Sequence, residues 1–290
     1  MQHILENDQL TVSLSTQGAE VQSVRNKATG QEYIWTADPA VWARHAPVLF
    51  PIVGKLKDDQ YRLGTDTYRM TQHGFARDKD FKVVDQNRHQ ITFGLTADPE
   101  TTERYPFNFT LDVHYQLTDN RLDTTYQVIN HDRTEMPFSI GAHPGFLCPR
   151  QVDGQPEEYH LLFEQEETLE RHLLEGGLRT GETRDVLEGS QTLALPPSLF
   201  EDDALIFTDL TSDLVSIVPQ STGRPMVTVT FPGFPYLGVW QKVGADFYCI
   251  EPWYGLADKA DADGGFTRKE GIQTLSPEDT FEATYGMIFY

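Results

Sequence analysis

Hydrophobic and polar residues alternate along most of this chain with the period of two that belongs to a β-strand. Leu10, Val12 and Leu14 alternate with polar neighbours, and Val21 and Val24 follow beyond a turn at Gly18, so two short strands are expected there. The pattern returns at Glu32–Trp35, Tyr61–Arg62, Thr67–Met70, Phe81–Asp85, Gln90–Thr96, Asn108–Leu117, Arg121–Asn130 and Met136–Ala142. Thr110–Leu117 and Arg121–Ile129, joined by Asp119-Asn120, read as a hairpin. After a polar, acidic insertion at Gln151–Glu158, further strands are expected at His160–Glu164, Leu193–Leu195, Ala204–Thr208, Leu214–Pro219, Met226–Phe231, Tyr236–Gln241, Phe247–Glu251 and Gln273–Tyr285. Very few windows hold a 3.6-residue period. A short helix is expected only over Asp38–His45, with Pro39 at its first position. The segment Ala46–Lys55, apolar and interrupted by Pro47 and Pro51, predicts a buried but irregular path. So many short strands with turn signals predict an all-β, antiparallel sandwich. No repeat or linker divides it, so residues 1–290 read as one domain.

Composition narrows the partners. The chain carries 44 acidic and 23 basic residues, a net charge of −21. That field repels nucleic acid and anionic membranes and weakens the case for a phosphorylated substrate. No apolar run approaches the length of a membrane span and no leader pattern opens the chain, so a soluble cytoplasmic protein is expected. The two cysteines, Cys148 and Cys249, form no CxxC motif. A homodimer is left open.

Three stretches could carry chemistry. In Phe138–Phe146 a strand delivers His143 into a Pro144-Gly145 turn, and the small Gly141 and Ala142 leave room for a ligand beside the imidazole. In Gln72–Arg77, His73 precedes a glycine that permits a sharp bend, and Arg77 offers a planar cationic fork. In Tyr248–Trp253, Glu251 ends an apolar strand, where a carboxylate is costly to bury unless paired or protonated. Each has a plainer reading as a turn histidine, a core histidine or a structural carboxylate. Two imidazoles and a carboxylate could also ligate a metal, but no short ligand spacing brings them together. No nucleophile elbow surrounds Ser139 or either cysteine.

Taken together, Ala46–Gly54, Gln72–Arg77, Gly141–Phe146 and Glu251-Pro252 resemble, in order and separation, the aldose 1-epimerase (galactose mutarotase) family, and especially its LacX-like branch. The resemblance implies a large antiparallel β-sandwich with an open cleft, and cofactor-independent interconversion of the α and β anomers of a free sugar. By position it implies Glu251 as general base, His143 as general acid and His73 as a second histidine holding the sugar. It also implies Asp203 as a ligand of sugar hydroxyls, although Asp202 is adjacent and Ala204 stands where the family has a histidine. Lys55 falls where many relatives place an arginine, so the usual bidentate grip becomes a point charge. Arg77 recurs both in this branch and in hexose-6-phosphate epimerases. Catalysis in this scheme needs Glu251 ionised and His143 protonated, each charge favouring the other. Trp240, Trp253, Phe234 and Tyr236 are candidate walls for the sugar's apolar face. The alternatives to a free-hexose enzyme are a hexose-6-phosphate 1-epimerase and a sugar-binding protein without catalysis.

Overall fold

The hairpin expected around Asp119-Asn120 lies within the largest sheet of the computed structural model, which describes Met1–Tyr290. Strands Phe109–Thr118 and Arg121–Asn130 pair in full register, Arg121 opposite Thr118 and Asn130 opposite Phe109. Their alternation places Phe109, Leu111, Val113, Tyr115 and Leu117 on the buried face. Seven more strands extend this pair into a nine-stranded antiparallel sheet, bounded by Lys82–Gln86 at one edge and Leu178–Ala194 at the other. A second sheet has six strands, with Phe247–Tyr254 flanked by Tyr236–Trp240 on one side and by the short strands Ile140–Ala142 and Gly145–Leu147 on the other. The N-terminal residues form a separate three-stranded meander, Gln2–Glu6, Leu10–Ser15 and Val21–Asn26.

The antiparallel β architecture read from the alternation is the one observed. One cluster of 64 buried residues runs from Leu5 to Phe289 and joins all three sheets. Strand Phe247–Tyr254 shows how the second sheet serves two purposes. Tyr248 and Ile250 point into the main cluster, while Phe247, Cys249, Glu251 and Trp253 occupy the opposite face. That second face bears the site. No helix is long and apolar enough to cross a membrane.

Several local expectations are corrected. Asp38–His45 is not a helix: Asp38 caps a turn through its carbonyl, which accepts from Val41 and Trp42 N–H, and the chain then departs. The reason is tertiary, because Trp42 is drawn inward to stack on His143 and Phe247. The single α-helix is instead Pro99–Arg104, capped by Asp98 and too short to show a period. The strands at His160–Glu164 and Leu193–Leu195 are ends of much longer ones, Tyr159–Glu175 and Leu178–Ala194. Their ladder is interrupted by register shifts, the return strand is largely solvated, and two of the three residues that the outgoing strand buries in alternation, Glu167, Leu169 and Arg171, are charged, so no apolar alternation marks the outer half. Met136–Ala142 changes partner at Ser139, from Gln273–Leu275 to Phe247–Tyr254.

Buried Asn130 ties these elements where the first sheet ends. Its amide donates to the carbonyls of Thr134 (2.8 Å), Leu275 (2.9 Å) and Ser276 (3.2 Å), and its own oxygen accepts from Asp132 N–H. Replacing it with alanine strands the buried carbonyl of Leu275. Asn130→Ala should therefore lose about 1–3 kcal/mol in a denaturant titration, and an unchanged midpoint would show that the amide is not an anchor.

Candidate active site

A cleft of about 320 Å³ opens on the second sheet, within the range that holds one sugar-sized ligand. His73, Arg77, His143, Asp203, Trp240 and Glu251 all line it. Residues separated by more than a hundred positions in sequence thus meet in one place.

Register explains how His143 meets Glu251. Gly141 pairs with Trp253 and Gly145 with Cys249, and the chain between them bows out across from Glu251. His143 Nε2 lies 3.2 Å from Glu251 Oε2. The alignment falls outside a hydrogen bond, which leaves Glu251 Oε2 without a bonded protein partner, and the other ring nitrogen of His143, Nδ1, has none either. The imidazole is stacked on Trp42 at 5.0 Å and meets Trp240 edge-on at 5.8 Å. Gly145 permits this, since a Cβ there would stand 2.8 Å from the Trp42 ring.

The space beside Gly141 is filled by protein rather than left open for a ligand. A Cβ on Gly141 would lie 2.5 Å from Trp253 Cδ1, and one on Gly238 would lie 2.4 Å from Trp253 Cζ2. The indole therefore lies across two side-chain-free positions and becomes a fixed wall, its N–H donating to Ala142 O. Of the four candidate aromatic walls, Trp240 and Trp253 line the cleft. Phe234 packs in the core against Tyr254, and Tyr236 lies behind Trp253.

His73 is held in a left-handed conformation, φ 65°, by a turn that folds around Phe50 O. Only glycine fits next, because a Cβ on Gly74 would be 2.2 Å from that carbonyl. Gly54 N–H donates to His73 Nδ1 at 3.1 Å, so the neutral ring carries its proton on Nε2. His73 and His143 meet edge to face at 5.5 Å. Asp203 and Asp202 separate cleanly: Asp203 lines the cleft, whereas Asp202 is paired with Arg171 (2.8 Å) and Arg184 (2.9 Å). Arg77 donates to Gln72 O at 2.6 Å, and its Nε is buried without a partner. Lys55 is placed differently from the other six, with its side chain outside the lining and its ammonium donating to Gly176 O at 3.1 Å.

Burial sets the charge state. Glu251 is 1% exposed, and desolvation, followed by the negative charge of Asp203, drives its carboxyl well above the usual range. Desolvation likewise lowers His143 to about 3 and carries His73 well below its ordinary value, helped by His143 and Arg77. Burial thus opposes the expected ionised pair and favours a protonated Glu251 beside a neutral His143. Arg77 falls to about 10 and stays charged at neutral pH. Cys249 Sγ lies within 4.8 Å of the ligating atoms of His143 and Glu251, but burial raises its thiol well above 9 and disfavours the thiolate that a metal needs.

Gln72, at the head of the stretch bearing His73, also lines the cleft, as do Trp42, Leu174 and Gly177, for which the sequence carries no such signal. Trp42 was hidden in the supposed helix. Leu174 and Gly177 lie in the unrecognised hairpin.

The sequence profile described as Aldose 1-epimerase matches residues 1–272. The chain belongs to this family. It is accordingly an isomerase of the aldose-epimerase kind. Protein LacX (plasmid) of Lactococcus lactis subsp. lactis is 33% identical over 97% of this chain and 97% of its own length. A galactose mutarotase related enzyme from Lactobacillus acidophilus is 37% identical with a TM-score of 0.93, over 100% of this chain and 97% of the other. A galactose mutarotase-like protein from Lactobacillus casei ATCC 334 is 35% identical with a TM-score of 0.94, over 100% of both chains. At 97% or more, the coverage shows the same β-sandwich from end to end.

The charge states predict a pH dependence of stability. Burial raises Glu251 and lowers His143, so between the ordinary values of 4.5 and 6.5 their shifts oppose one another in the proton balance of unfolding. His73 binds a proton only when unfolded. Its contribution is complete above pH 6.5 and is lost on acidification, by about 1.4 kcal/mol per pH unit. His73→Gln should flatten the decline in stability between pH 6.5 and 5 in denaturant titrations at several pH values; parallel declines would mean that His73 titrates normally when folded.

Proposed function

We propose that this epimerase acts on an unphosphorylated hexose such as galactose or glucose, with Glu251 and His143 exchanging protons with the sugar. The observation that carries the reading is the 3.2 Å approach of a buried carboxylate oxygen and a buried imidazole nitrogen in a sugar-sized cleft. The reacting groups of an aldose, the C1 hydroxyl and the ring oxygen, sit on the same carbon, so an acid and a base that serve both must be close neighbours.

In the reactive form the shared proton lies on His143 and Glu251 is ionised. Glu251 removes the C1 hydroxyl proton as the C1–ring-oxygen bond breaks, and His143 delivers its proton to the departing ring oxygen. The products are an open-chain aldehyde, a protonated Glu251 and a neutral His143. Rotation about C1–C2 and the reverse transfers close the ring on the other face. Ring opening thus converts the ionised pair into the neutral pair that burial favours, so the low polarity of the cleft assists the step. His73, its proton on Nε2, and Asp203 are positioned as hydroxyl partners, and Trp240 and Trp253 as apolar walls. No step requires a cofactor. We read residues 1–290 as one domain serving this cleft, and the acidic surface supports a soluble cytoplasmic enzyme for a small sugar rather than nucleic acid.

One observation favours a second reading, a hexose 6-phosphate: Arg77 Nε is buried without a partner, and Arg44 lies against the Arg77 backbone. Calorimetric titration with glucose and glucose 6-phosphate separates the two. Tighter phosphate binding that disappears in Arg77→Gln would select the phosphorylated substrate.

Polarimetry on freshly dissolved α-D-galactose and α-D-glucose tests the main reading. Glu251→Gln should slow anomeric relaxation by about 10²–10⁴-fold while leaving the sugar dissociation constant within severalfold of wild type. Wild-type rates in that variant would remove Glu251 from the reaction. His143→Ala should likewise lower kcat more than it raises KM; a change confined to KM would make His143 a binding group only.

A further inference from the structure

We propose that Lys55 is a positioning residue that pins the turn of the long hairpin against the cleft and thereby holds one wall of the site closed. The proposal builds on the epimerase reading above for its kinetic consequence, but not for its structural one.

Only the root of this hairpin belongs to the nine-stranded sheet. Tyr159–Phe163 pairs with Val215–Pro219, and beyond Phe163 the strand Tyr159–Glu175 has no ladder partner except its own return strand, Leu178–Ala194. A two-stranded ribbon is marginal by itself, so its far end depends on what it touches. That far end reaches the cleft, where Leu174 and Gly177 form part of the lining. Leu174 also packs on the small apolar cluster of Leu49, Val53, Ile206, Trp253 and Leu256.

Two attachments hold the tip. One is ionic and partly enclosed: Arg179, 1% exposed, donates from Nε to Ala257 O (2.9 Å) and from Nη1 to Glu270 (3.0 Å). The backbones of Arg179 and Asp258 are joined there too, Arg179 N–H donating to Asp258 O at 2.8 Å. The other is Lys55. Its ammonium donates to Gly176 O at 3.1 Å, and its stem lies under Gly177, where an added Cβ would come within 3.3 Å of Lys55 Cδ. Gly176 and Gly177 are both left-handed, φ 58° and 82°, and the turn presents its carbonyl to the lysine without side chains intervening. Arg179 fixes the hairpin behind the turn; Lys55 fixes the turn itself.

Lys55 is also joined to the reacting groups through its own backbone. Its carbonyl accepts from Asp258 N–H at 2.8 Å, and the preceding Gly54 supplies the N–H that orients His73. Releasing the turn would admit water beside Leu174 and weaken the desolvation on which the Glu251–His143 pair depends. A residue that gripped the sugar would behave differently, since its loss would reduce affinity without disturbing the free protein.

Hydrogen exchange on the sugar-free protein decides between them, with Lys55→Met as the variant because it keeps an apolar stem and removes the ammonium. The amides of Leu174–Arg179 should lose about tenfold in protection, while the nine-stranded sheet keeps its own. Kinetically, kcat on a free hexose should fall by a larger factor than KM rises, and Lys55→Arg should restore the protection. Unchanged protection at the turn in Lys55→Met overturns the proposal, as does a rise in KM with kcat retained. If wild type accelerates anomerisation of no aldose, the functional reading fails, and hydrogen exchange still decides the role of Lys55.

Discussion

Everything at this site depends on taking a carboxyl group and an imidazole out of water together. Separately, each would be strongly destabilised as an ion at that depth. Together, 3.2 Å apart, they can hold one proton between them without a net charge. The sheet makes this possible because strand Phe247–Tyr254 is covered on both faces, and a break between two short partner strands brings His143 across from Glu251. The acid–base pair is thus a consequence of strand register, and the aromatic residues around it maintain the low polarity that gives the pair its bias.

The same constraint explains the divisions among the neighbouring groups. Two acidic residues are adjacent in sequence, and only Asp203 faces the cleft; Asp202 is neutralised by two arginines outside it. Likewise His73 is tied by a backbone N–H to one tautomer, whereas His143 is left with a free ring nitrogen. Fixed geometry surrounds a pair whose proton can move.

Much of this was legible in the sequence, and the failures have physical causes. The central hairpin and the strand bearing Glu251 were readable because one face is buried along their length, so burial wrote a period of two into the residues. Long-range assembly of His73, His143 and Glu251 was not readable from spacing at all; only the family resemblance brought them together. Trp42 was missed because a capped turn and a helix start look alike until a tertiary contact chooses between them. The hairpin's outer half is not legible because its return strand is largely solvated and two of the residues its outgoing strand buries, Glu167 and Arg171, are charged. The bias of the buried pair toward its neutral form is not legible for a related reason. Mutual attraction could be anticipated from residue types, whereas the cost of burial depends on a depth that no single stretch records.

The two walls of the cleft differ in how they are built. Trp253 lies on a pair of glycines that leave no space for a larger residue at either position, so that side behaves as a mould set by the sheet. The hairpin side ends in a turn held by a few polar contacts and by Leu174, on an arm whose strands beyond Phe163 pair only with each other. Substitutions that reshape the cleft therefore meet fewer constraints on the hairpin than on the sheet. Divergence in this fold is expected to accumulate at the tip of the arm while the tryptophan and its two glycines stay fixed.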